Sequence, residues 1–344
     1  MRLLLTSVTV KKVYLPAGCS GHTSEEDPSA KQNGIALAVK KTLGPAMIKY
    51  NSLLFRAPFI LFLFLSFLGC RKESPDGQTP VIFAAVPVSK SIARGIIDEA
   101  SGIADSKANA GYLWVEQDSG NPNDIILLSY AGVVFKKINI RSAINRDWED
   151  IATGNGPVAG TNYIYIADIG DNNKVFSQYL IYRIPEPLAT TDTVSAYDQI
   201  RFQYPDGSHD AEAILVDNVS KDIYVITKQD ALSRIYKLSY PQNTTAINTA
   251  VYTGSLSFNG VVSAASSGAG DELLIKTYTS LYYWKRAGNE SIEQVLSKNP
   301  AMPGYQQEAQ GEAVCFRNDN QGFYTLSERP SFISSVNLNF YKRE

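Results

Sequence analysis

Short apolar and aromatic runs recur along the chain from about residue 99 to the C-terminus, and polar turn residues separate them. Each run has the length and composition of a β-strand. No long amphipathic helix pattern competes with these runs in the same region. The pattern therefore predicts an all-β domain made of many short strands.

A glutamate followed by small or apolar residues marks a repeat within this pattern. The marker occurs at Glu99, Glu149, Glu212 and Glu312, at separations of 50, 63 and 100 residues. Because the last separation is twice fifty, one unmarked repeat is expected near residue 262. Residues 261–265, with the sequence Val-Val-Ser-Ala-Ala, occupy that place.

Each repeat continues with further strand-like runs. A second run follows every marker, a third follows the second, and the first four repeats allow a fourth, at 134–140, 200–204, 250–256 and 292–296. Four short strands at a period of about forty to fifty-five residues are typical of a β-propeller blade. We predict five four-stranded blades, with six as the alternative because the second repeat is long; an all-β sandwich would not explain the spacing.

The fifth repeat ends at Glu344 after three strands. An N-terminal strand near residues 81–88, from the apolar run that begins at Val81, is expected to supply the missing outer strand. Such pairing of the two chain ends closes the ring and removes an exposed sheet edge.

The segment before the propeller has a different pattern. A basic region around Lys49 and Arg56 precedes an apolar run at 57–69, which is too short to span a bilayer as a helix but suits a signal peptide. The run ends in Leu68-Gly69-Cys70, which resembles the lipobox of bacterial lipoproteins. This resemblance implies a lipid on Cys70 that anchors the protein to a membrane.

These features divide the chain into four parts. We interpret residues 1–46 as an upstream extension from a misassigned start codon or as a disordered segment, and 47–69 as the lipoprotein signal peptide. Residues 70–80 form a flexible tether and 81–344 the propeller. The expected location is the cell envelope, lipid-anchored and facing the periplasm or the exterior. A genuine extension followed by a buried or anchoring helix is the alternative.

Composition narrows the possible partners. The 344-residue chain has a net charge of -2, which argues against nucleic acid as a partner. It contains 20 tyrosines but only two histidines, and the aromatic content favours β-structure. The partners expected are the membrane, through the lipid, and an unknown small ligand or envelope protein.

Acidic residues concentrate where a propeller would bring them together. The start of the first strand and the end of the second strand of every blade meet at one channel mouth. The residues predicted to line this mouth are Glu99, Asp118, Asp147, Glu149, Asp150, Asp168, Asp171, His209, Asp210, Glu212, Lys228, Lys276, Glu312 and Glu328. Like charges this close require a positive partner.

Two positive partners are possible. Lys228 and Lys276 could pair with the glutamates and leave a structural ring. Alternatively, a hard cation such as calcium could bind ligands drawn from Asp147, Glu149, Asp168, Asp171 and Asn172, because calcium prefers carboxylate, amide and carbonyl oxygens. Both arrangements could also coexist.

Familiar catalytic patterns are scarce in the sequence. His209 is the only histidine after Cys70, so zinc clusters lack ligands, and no Gly-x-Ser-x-Gly elbow is present. Weak catalytic candidates are His209, Asp210, Lys228 and Lys276, with His209 as a general acid or base or simply a polar rim residue.

Three segments carry a resemblance to a known group. Residues 145–152, 167–172 and 184–187 look like a set found in poorly characterised secreted bacterial propellers. These proteins are similar in fold to the phytase-like propellers, whose enzymatic members hydrolyse phosphate esters with calcium. The resemblance implies a propeller and allows a calcium-dependent phosphoesterase as the alternative to our preferred interpretation, an acidic mouth that binds a metal, small ligand or partner without turnover.

Overall fold

A computed structural model describes residues 82–344 and shows a five-bladed β-propeller. The secondary-structure elements, in chain order, are β1 (Val88–Ala93), β2 (Ala100–Asp105), β3 (Tyr112–Gln117), β4 (Asp124–Ser129), β5 (Val134–Ile140), β6 (Trp148–Asn155), β7 (Asn162–Asp168), β8 (Tyr179–Pro185), β9 (Thr193–Val194), β10 (Asp198–Gln203), β11 (Ala211–Val216), β12 (Ile223–Thr227), β13 (Arg234–Leu238), β14 (Asn248–Thr249), β15 (Val251–Ser255), β16 (Val261–Ser266), β17 (Glu272–Thr277), β18 (Leu281–Lys285), α1 (Ile292–Leu296), β19 (Gly311–Phe316), β20 (Gly322–Ser327) and β21 (Ser335–Lys342).

Consecutive strands build each blade as an antiparallel sheet. Blade 1 contains β2 to β5, blade 2 contains β6, β7, β8 and β10, and blade 3 contains β11, β12, β13 and β15. Blade 4 contains β16 to β18, and blade 5 contains β19 to β21 with β1 as its outer strand. The two short strands β9 and β14 add parallel edges to blades 1 and 2. The prediction of five blades is confirmed.

The ring closes by pairing the two chain ends, as expected. The closing strand, however, lies C-terminal to the apolar run that begins at Val81. Strand β1 pairs with β21 over six residue pairs, from Val88 with Phe340 to Ala93 with Ser335. The preceding run contributes a bridge between Phe83 and Arg343. Phe83 is buried against the rings of Tyr283 and Phe323, so its apolar character serves the core between blades 4 and 5 rather than a strand.

The fourth run predicted for blade 4, at 292–296, is the helix α1 and not a strand. Ser291 caps the helix and forms a capping box with Gln294. Ile292, Val295 and Leu296 are buried, which is the spacing of one helix face. In place of a fourth strand, Ala301 pairs with Tyr283 at the edge of β18.

Five apolar clusters hold the ring together, one at each boundary between neighbouring blades. The cluster between blades 1 and 2, for example, packs Trp114 and Ile138 against Ile164 and Tyr182. Because blade faces pack on both sides, the strands are apolar on both faces, which explains why the runs in the sequence are nearly continuous.

Glu186, from one of the segments that carry the resemblance, ties blade 2 to blade 1. It accepts hydrogen bonds from Trp114 Nε1 at 2.9 Å, Ser106 Oγ at 2.6 Å and the backbone amides of Lys107 and Ala108. One carboxylate thereby accepts the hydrogen bonds of the donors in the loop between β2 and β3 and of the indole N–H of Trp114.

The predicted extension, signal peptide, tether and Cys70 lie outside the described residues. Within residues 82–344, no helix is long and apolar enough to cross a membrane.

Candidate functional site

All five innermost strands carry a β-bulge near their start. The pairing register shifts around Ser101, Glu149, Glu212, Val262 and Glu312 in blades 1 to 5. A bulge turns its extra residue out of the regular alternation and re-aims the side chain. The repeated glutamates of blades 2, 3 and 5 are these bulged residues.

The marker in blade 1 was assigned to the wrong residue. Glu99 lies two residues before the bulge at Ser101, and it is exposed and accepts a hydrogen bond from Asn121 Nδ2 at 2.6 Å. Val262 occupies the equivalent position in blade 4. The ring of equivalent positions therefore contains three glutamates, in blades 2, 3 and 5.

Five carboxylates from blades 1, 2 and 3 converge at the mouth as two overlapping groups. One group is Asp118, Asp147 and Glu149, and the other is Glu149, Asp210 and Glu212; in each, one oxygen per residue lies within 4.8 Å of the others. Asp118 directly follows β3, while Asp147 and Asp210 directly precede β6 and β11. Glu149 belongs to both groups because its bulge places it between the neighbouring strand starts.

Asp210 has an oxygen without a partner. Its Oδ1 accepts a hydrogen bond from the Asp171 backbone amide at 2.8 Å, but its buried Oδ2 has none among residues 82–344. The residue is 1% exposed, so this oxygen lies away from the protein surface. A buried acceptor without a partner costs free energy and calls for an explanation.

Burial and mutual repulsion raise the pKa values of four carboxyl groups at the mouth, those of Asp118, Asp147, Glu149 and Glu212. Burial is the largest cause of the raised pKa of Glu149, followed by the charges of Glu212 and Asp118. Burial also raises the pKa of Glu212 well above its ordinary value although Lys228 opposes the shift. The pKa of Glu328 rises to about 8, because it is partly buried and faces Glu312 and Asp118. The mouth therefore favours a bound cation or protons.

Both lysines predicted at the mouth have polar partners, but only Lys228 pairs with a glutamate of the ring. Lys228 Nζ donates to Glu212 Oε1 and, at 3.1 Å, to Tyr278 OH, which in turn donates to Glu312 Oε1 at 2.6 Å. Lys276 is fully buried, donates to the carbonyl of Gly311 and lies 3.8 Å from Glu308. Burial lowers the pKa of Lys276 to about 8.

Three of the predicted metal ligands have side-chain oxygens that already accept hydrogen bonds from nearby groups. Asp168 Oδ1 accepts from the Asp147 amide at 2.8 Å. Both oxygens of Asp171 accept hydrogen bonds, from the amides of residues 175 and 176 and from Tyr179 OH, and Asn172 Oδ1 accepts from Gln229. The acidic groups described above instead contain Asp118, Asp210 and Glu212.

Asp150 lies deeper in the channel and joins three blades. It accepts hydrogen bonds from the amides of Ile214 and Ala264 and from Ser263 Oγ, at 2.9, 3.4 and 3.1 Å. Asp150 is fully buried, so it acts as a strut between β6, β11 and β16 rather than as an open ligand.

Glu116, which lies on β3 opposite Gly102, is a further buried acid that was not among the residues predicted from the sequence. It is fully buried, and neither carboxylate oxygen has a hydrogen-bond partner among the described residues. Burial and the nearby Asp150 raise its pKa well above the ordinary value. Its position just before Gln117 and Asp118, at the end of a second strand, was the available signal.

His209 is engaged on both sides of its ring. Nδ1 lies 3.0 Å from Asp230 Oδ2, and Nε2 lies 2.9 Å from Tyr236 OH and 3.2 Å from Asp206 Oδ1. The ring also packs edge-on against Tyr204. With both nitrogens held, His209 is built into the loops around blade 3 as a structural residue.

Comparisons with known proteins find similarity to solved structures only. No family model and no curated protein matches the sequence. A candidate phosphatase of Bacteroides thetaiotaomicron is 10% identical over 73% of this chain and 72% of its own, with a TM-score of 0.45. A gluconolactonase of Xanthomonas campestris is 10% identical over 76% and 98%, with a TM-score of 0.39. Kuenenia stuttgartiensis hydrazine synthase is 12% identical over 70% of this chain and 60% of its own, with a TM-score of 0.36. The chain is similar to these structures in part of its fold, and the likeness assigns it no activity.

Proposed function

We propose that this protein is a lipid-anchored propeller of the cell envelope whose acidic mouth binds a hard divalent cation, calcium, and through it a small ligand or an envelope protein. The observation that carries the proposal is the unpartnered Asp210 Oδ2 within a group of buried carboxylates that shares Glu149 with a second group. A bound cation would supply the partner that this oxygen lacks.

The chemistry of the donors favours calcium over softer metals. Both groups consist of carboxylates alone, without histidine or cysteine. Calcium takes six to eight oxygen ligands in flexible geometry, whereas zinc prefers nitrogen and sulfur. Lys228 neutralises part of the charge on Glu212, and no lysine or arginine pairs with Glu149 among the described residues. The uncompensated charge therefore lies around Glu149.

Binding is favoured over phosphoester hydrolysis because the cationic side chains near the mouth are occupied. A calcium phosphoesterase needs positive groups beside the metals to hold the phosphate. Lys228 pairs with Glu212, and Lys276 is buried against Glu308. Arg146 donates to backbone carbonyls and Arg329 pairs with Asp98. None of these cations is left to cradle a phosphate.

Anchoring through Cys70 would point the mouth away from the membrane. The inner strand β2 runs from the mouth to the opposite face, here called the lower face, and β1 runs back from the lower face to the mouth. The first described residue, Ile82, accepts a backbone hydrogen bond from the C-terminal Glu344 at the lower face. The chain thus enters the propeller on the side opposite the acidic groups.

Calcium titration of the chelator-treated protein, followed by calorimetry and thermal melting, tests the proposal. We expect saturable binding and a higher melting temperature, both weakened in Glu149→Gln and retained in Asp192→Asn, whose side chain is 89% exposed on blade 1. An unchanged melting temperature up to millimolar calcium would refute the cation site. Phosphate release from a panel of esters that depends on Glu149 would replace the binding function with the phosphoesterase.

A further inference from the structure

A second cavity system lies at the lower face, at the other end of the channel from the acidic mouth. A narrow cavity lies in the channel where the inner strands end. Next to it, between blades 1 and 5, lies an open depression of about 650 Å³. The two share Asp105, Lys107 and Asn318 in their walls. The depression falls in the size range of small-molecule sites.

Lys107 is the unusual residue in these walls. It follows β2, is only partly exposed, and has no carboxylate within ion-pairing distance among residues 82–344. The nearby Glu186 is already saturated by four hydrogen bonds from blade 1. Desolvation lowers the pKa of Lys107, although the charge of Glu186 opposes the shift.

A second cation faces the same depression. The guanidinium of Arg317 lies 4.8 Å from the ring centroid of Tyr130 and 5.4 Å from that of Phe340, so stacking fixes its plane. One of its terminal nitrogens pairs with Asp319 at 2.8 Å, while its Nε is buried without a partner among the described residues. Arg317 is therefore oriented and only partly neutralised.

The one buried carboxylate in the depression is occupied. Asp105 accepts hydrogen bonds from Tyr130 OH at 2.7 Å and from the amide of Asn318 at 2.6 Å. It is 3% exposed, so it lies behind these donors rather than at the surface that a ligand would meet. The exposed carboxylate in the wall, Asp319, is paired with Arg317, so Lys107 is the cation of the depression that has no carboxylate partner.

From these contacts we infer that the lower-face depression binds a phosphate group, with Lys107 as its main cation and Arg317 and Asn318 beside it. An unpaired, half-buried ammonium gains most from a compact divalent oxyanion, because the anion restores the charge compensation that the fold lacks. This site is independent of the cation site at the mouth. The phosphate can belong to a soluble phosphorylated compound or to a lipid headgroup.

The test uses the full chain with chelator present, so that no calcium at the mouth can recruit phosphate. Isothermal titration with inorganic phosphate at low ionic strength should show saturable binding that weakens as salt is added. Lys107→Met keeps the apolar stem but removes the charge, and we expect it to weaken binding by about tenfold or more. Lys137→Met removes an exposed lysine of blade 1 and should leave the affinity unchanged.

Vesicles distinguish the two sources of the phosphate. Lys107-dependent binding to phosphatidic acid vesicles, absent with phosphatidylcholine, would support the site and identify a lipid headgroup. Binding of inorganic phosphate without such vesicle binding would support the site with a soluble ligand. Equal phosphate affinity in Lys107→Met and the unmodified protein, or no saturable binding of phosphate or vesicles, would overturn the inference while leaving the calcium result untouched.

Discussion

Gly170 lies directly against Glu149, so that a Cβ built on Gly170 would overlap Glu149 Oε1 and also Asp147 Oδ2. Both obstacles are the ends of side chains, which can swing away. We therefore expect Gly170→Ala to fold but to displace two of the proposed ligands, and to lower the calcium affinity by about tenfold or more. Calorimetric titration of the chelator-treated variant measures this change.

The matched control for this change is Gly268→Ala. A Cβ at Gly268 would meet nothing nearer than 3.4 Å, and this glycine lies at the lower end of the channel. It should bind calcium like the unmodified protein. If Gly170→Ala retained full affinity with an unchanged melting temperature, Glu149 and Asp147 would not be ligands in this arrangement.

Lys228 acts as a built-in counter-ion for Glu212. Lys228→Met leaves Glu212 buried among other acids, and breaking such a pair should lower the free energy of unfolding of the calcium-free protein by about 2–4 kcal/mol. Calcium should then raise the melting temperature more in the variant than in the unmodified protein, because the cation compensates for the missing ammonium.

Lys285→Met provides the comparison, since Lys285 pairs with Asp271 in blade 4 at 2.7 Å and takes no part in the mouth. Its calcium-dependent increase in melting temperature should match that of the unmodified protein. A smaller calcium effect in Lys228→Met than in Lys285→Met would mean that the lysine supports the cation site instead of substituting for the cation.

The calcium-free protein should lose stability as the pH rises from about 5 to about 7.5. Burial raises the folded-state pKa values of Glu149 and Glu212 well above their ordinary range, and that of Glu328 to about 8. Between the unfolded and folded pKa values the folded protein binds more protons, so the free energy of unfolding falls with pH, by on the order of 2 kcal/mol.

Burial also raises the pKa values of Asp105 and Asp168 to about 6, so both add to this loss, whereas two further groups titrate outside the window. Lys276, with a pKa lowered to about 8, makes the folded protein bind fewer protons only above that pH, and Asp98, with a lowered pKa, acts only near and below about pH 4. Urea unfolding in chelator at several pH values gives the slope. Saturating calcium should flatten it, and a slope of the opposite sign would show that the mouth is already neutralised.

The strand pattern was sufficient to predict the propeller because each blade repeats the same apolar runs and the period sets the blade number. The strand prediction failed where a short apolar run is compatible with more than one kind of secondary structure. Residues 292–296 have the length of a short strand, but their apolar positions fall at helical spacing and Ser291 caps the helix. Phe83 is apolar because it plugs a blade boundary, a tertiary reason that no local pattern reveals.

The residues of the acidic mouth were predicted less completely than the fold, because their orientation also depends on tertiary structure. The mouth acids of blades 2 and 3 followed from topology, but the bulges decide which residue of each strand start faces the mouth, and a bulge leaves no mark on the spacing. The spacing alone therefore makes Glu99 look equivalent to Glu149. The sequence likewise does not reveal that the oxygens of Asp171 close a turn.

Glu186 should matter for stability and not for the calcium site at the mouth, because it holds the loop of blade 1 that carries Lys107. Glu186→Ala removes the acceptor for Trp114 Nε1 and for the loop amides of blade 1, which should lower the free energy of unfolding by about 2–4 kcal/mol. Urea unfolding followed by tryptophan fluorescence measures the loss. Glu290→Ala, which removes a surface carboxylate paired with Lys298, should change the stability far less.

The orientation on the membrane can be tested with two exposed side chains on opposite faces. Phe332 lies in the loop between β20 and β21 at the mouth and is 83% exposed, and Val219 lies in the loop between β11 and β12 at the lower face and is 71% exposed. Eleven residues lie between Cys70 and Ile82, a reach of at most about 40 Å, so the lower face should lie nearest the bilayer.

In the anchored protein, a bulky maleimide should therefore label Phe332→Cys as fast as in detached protein, and Val219→Cys several-fold more slowly. Cys315 is 4% exposed and should not compete for the reagent. Adding Cys70→Ser should move the protein to the soluble fraction and make both rates equal. Slower labelling of Phe332→Cys on the membrane would mean that the acidic mouth faces the lipid, and the proposed ligand would then have to come from the membrane side.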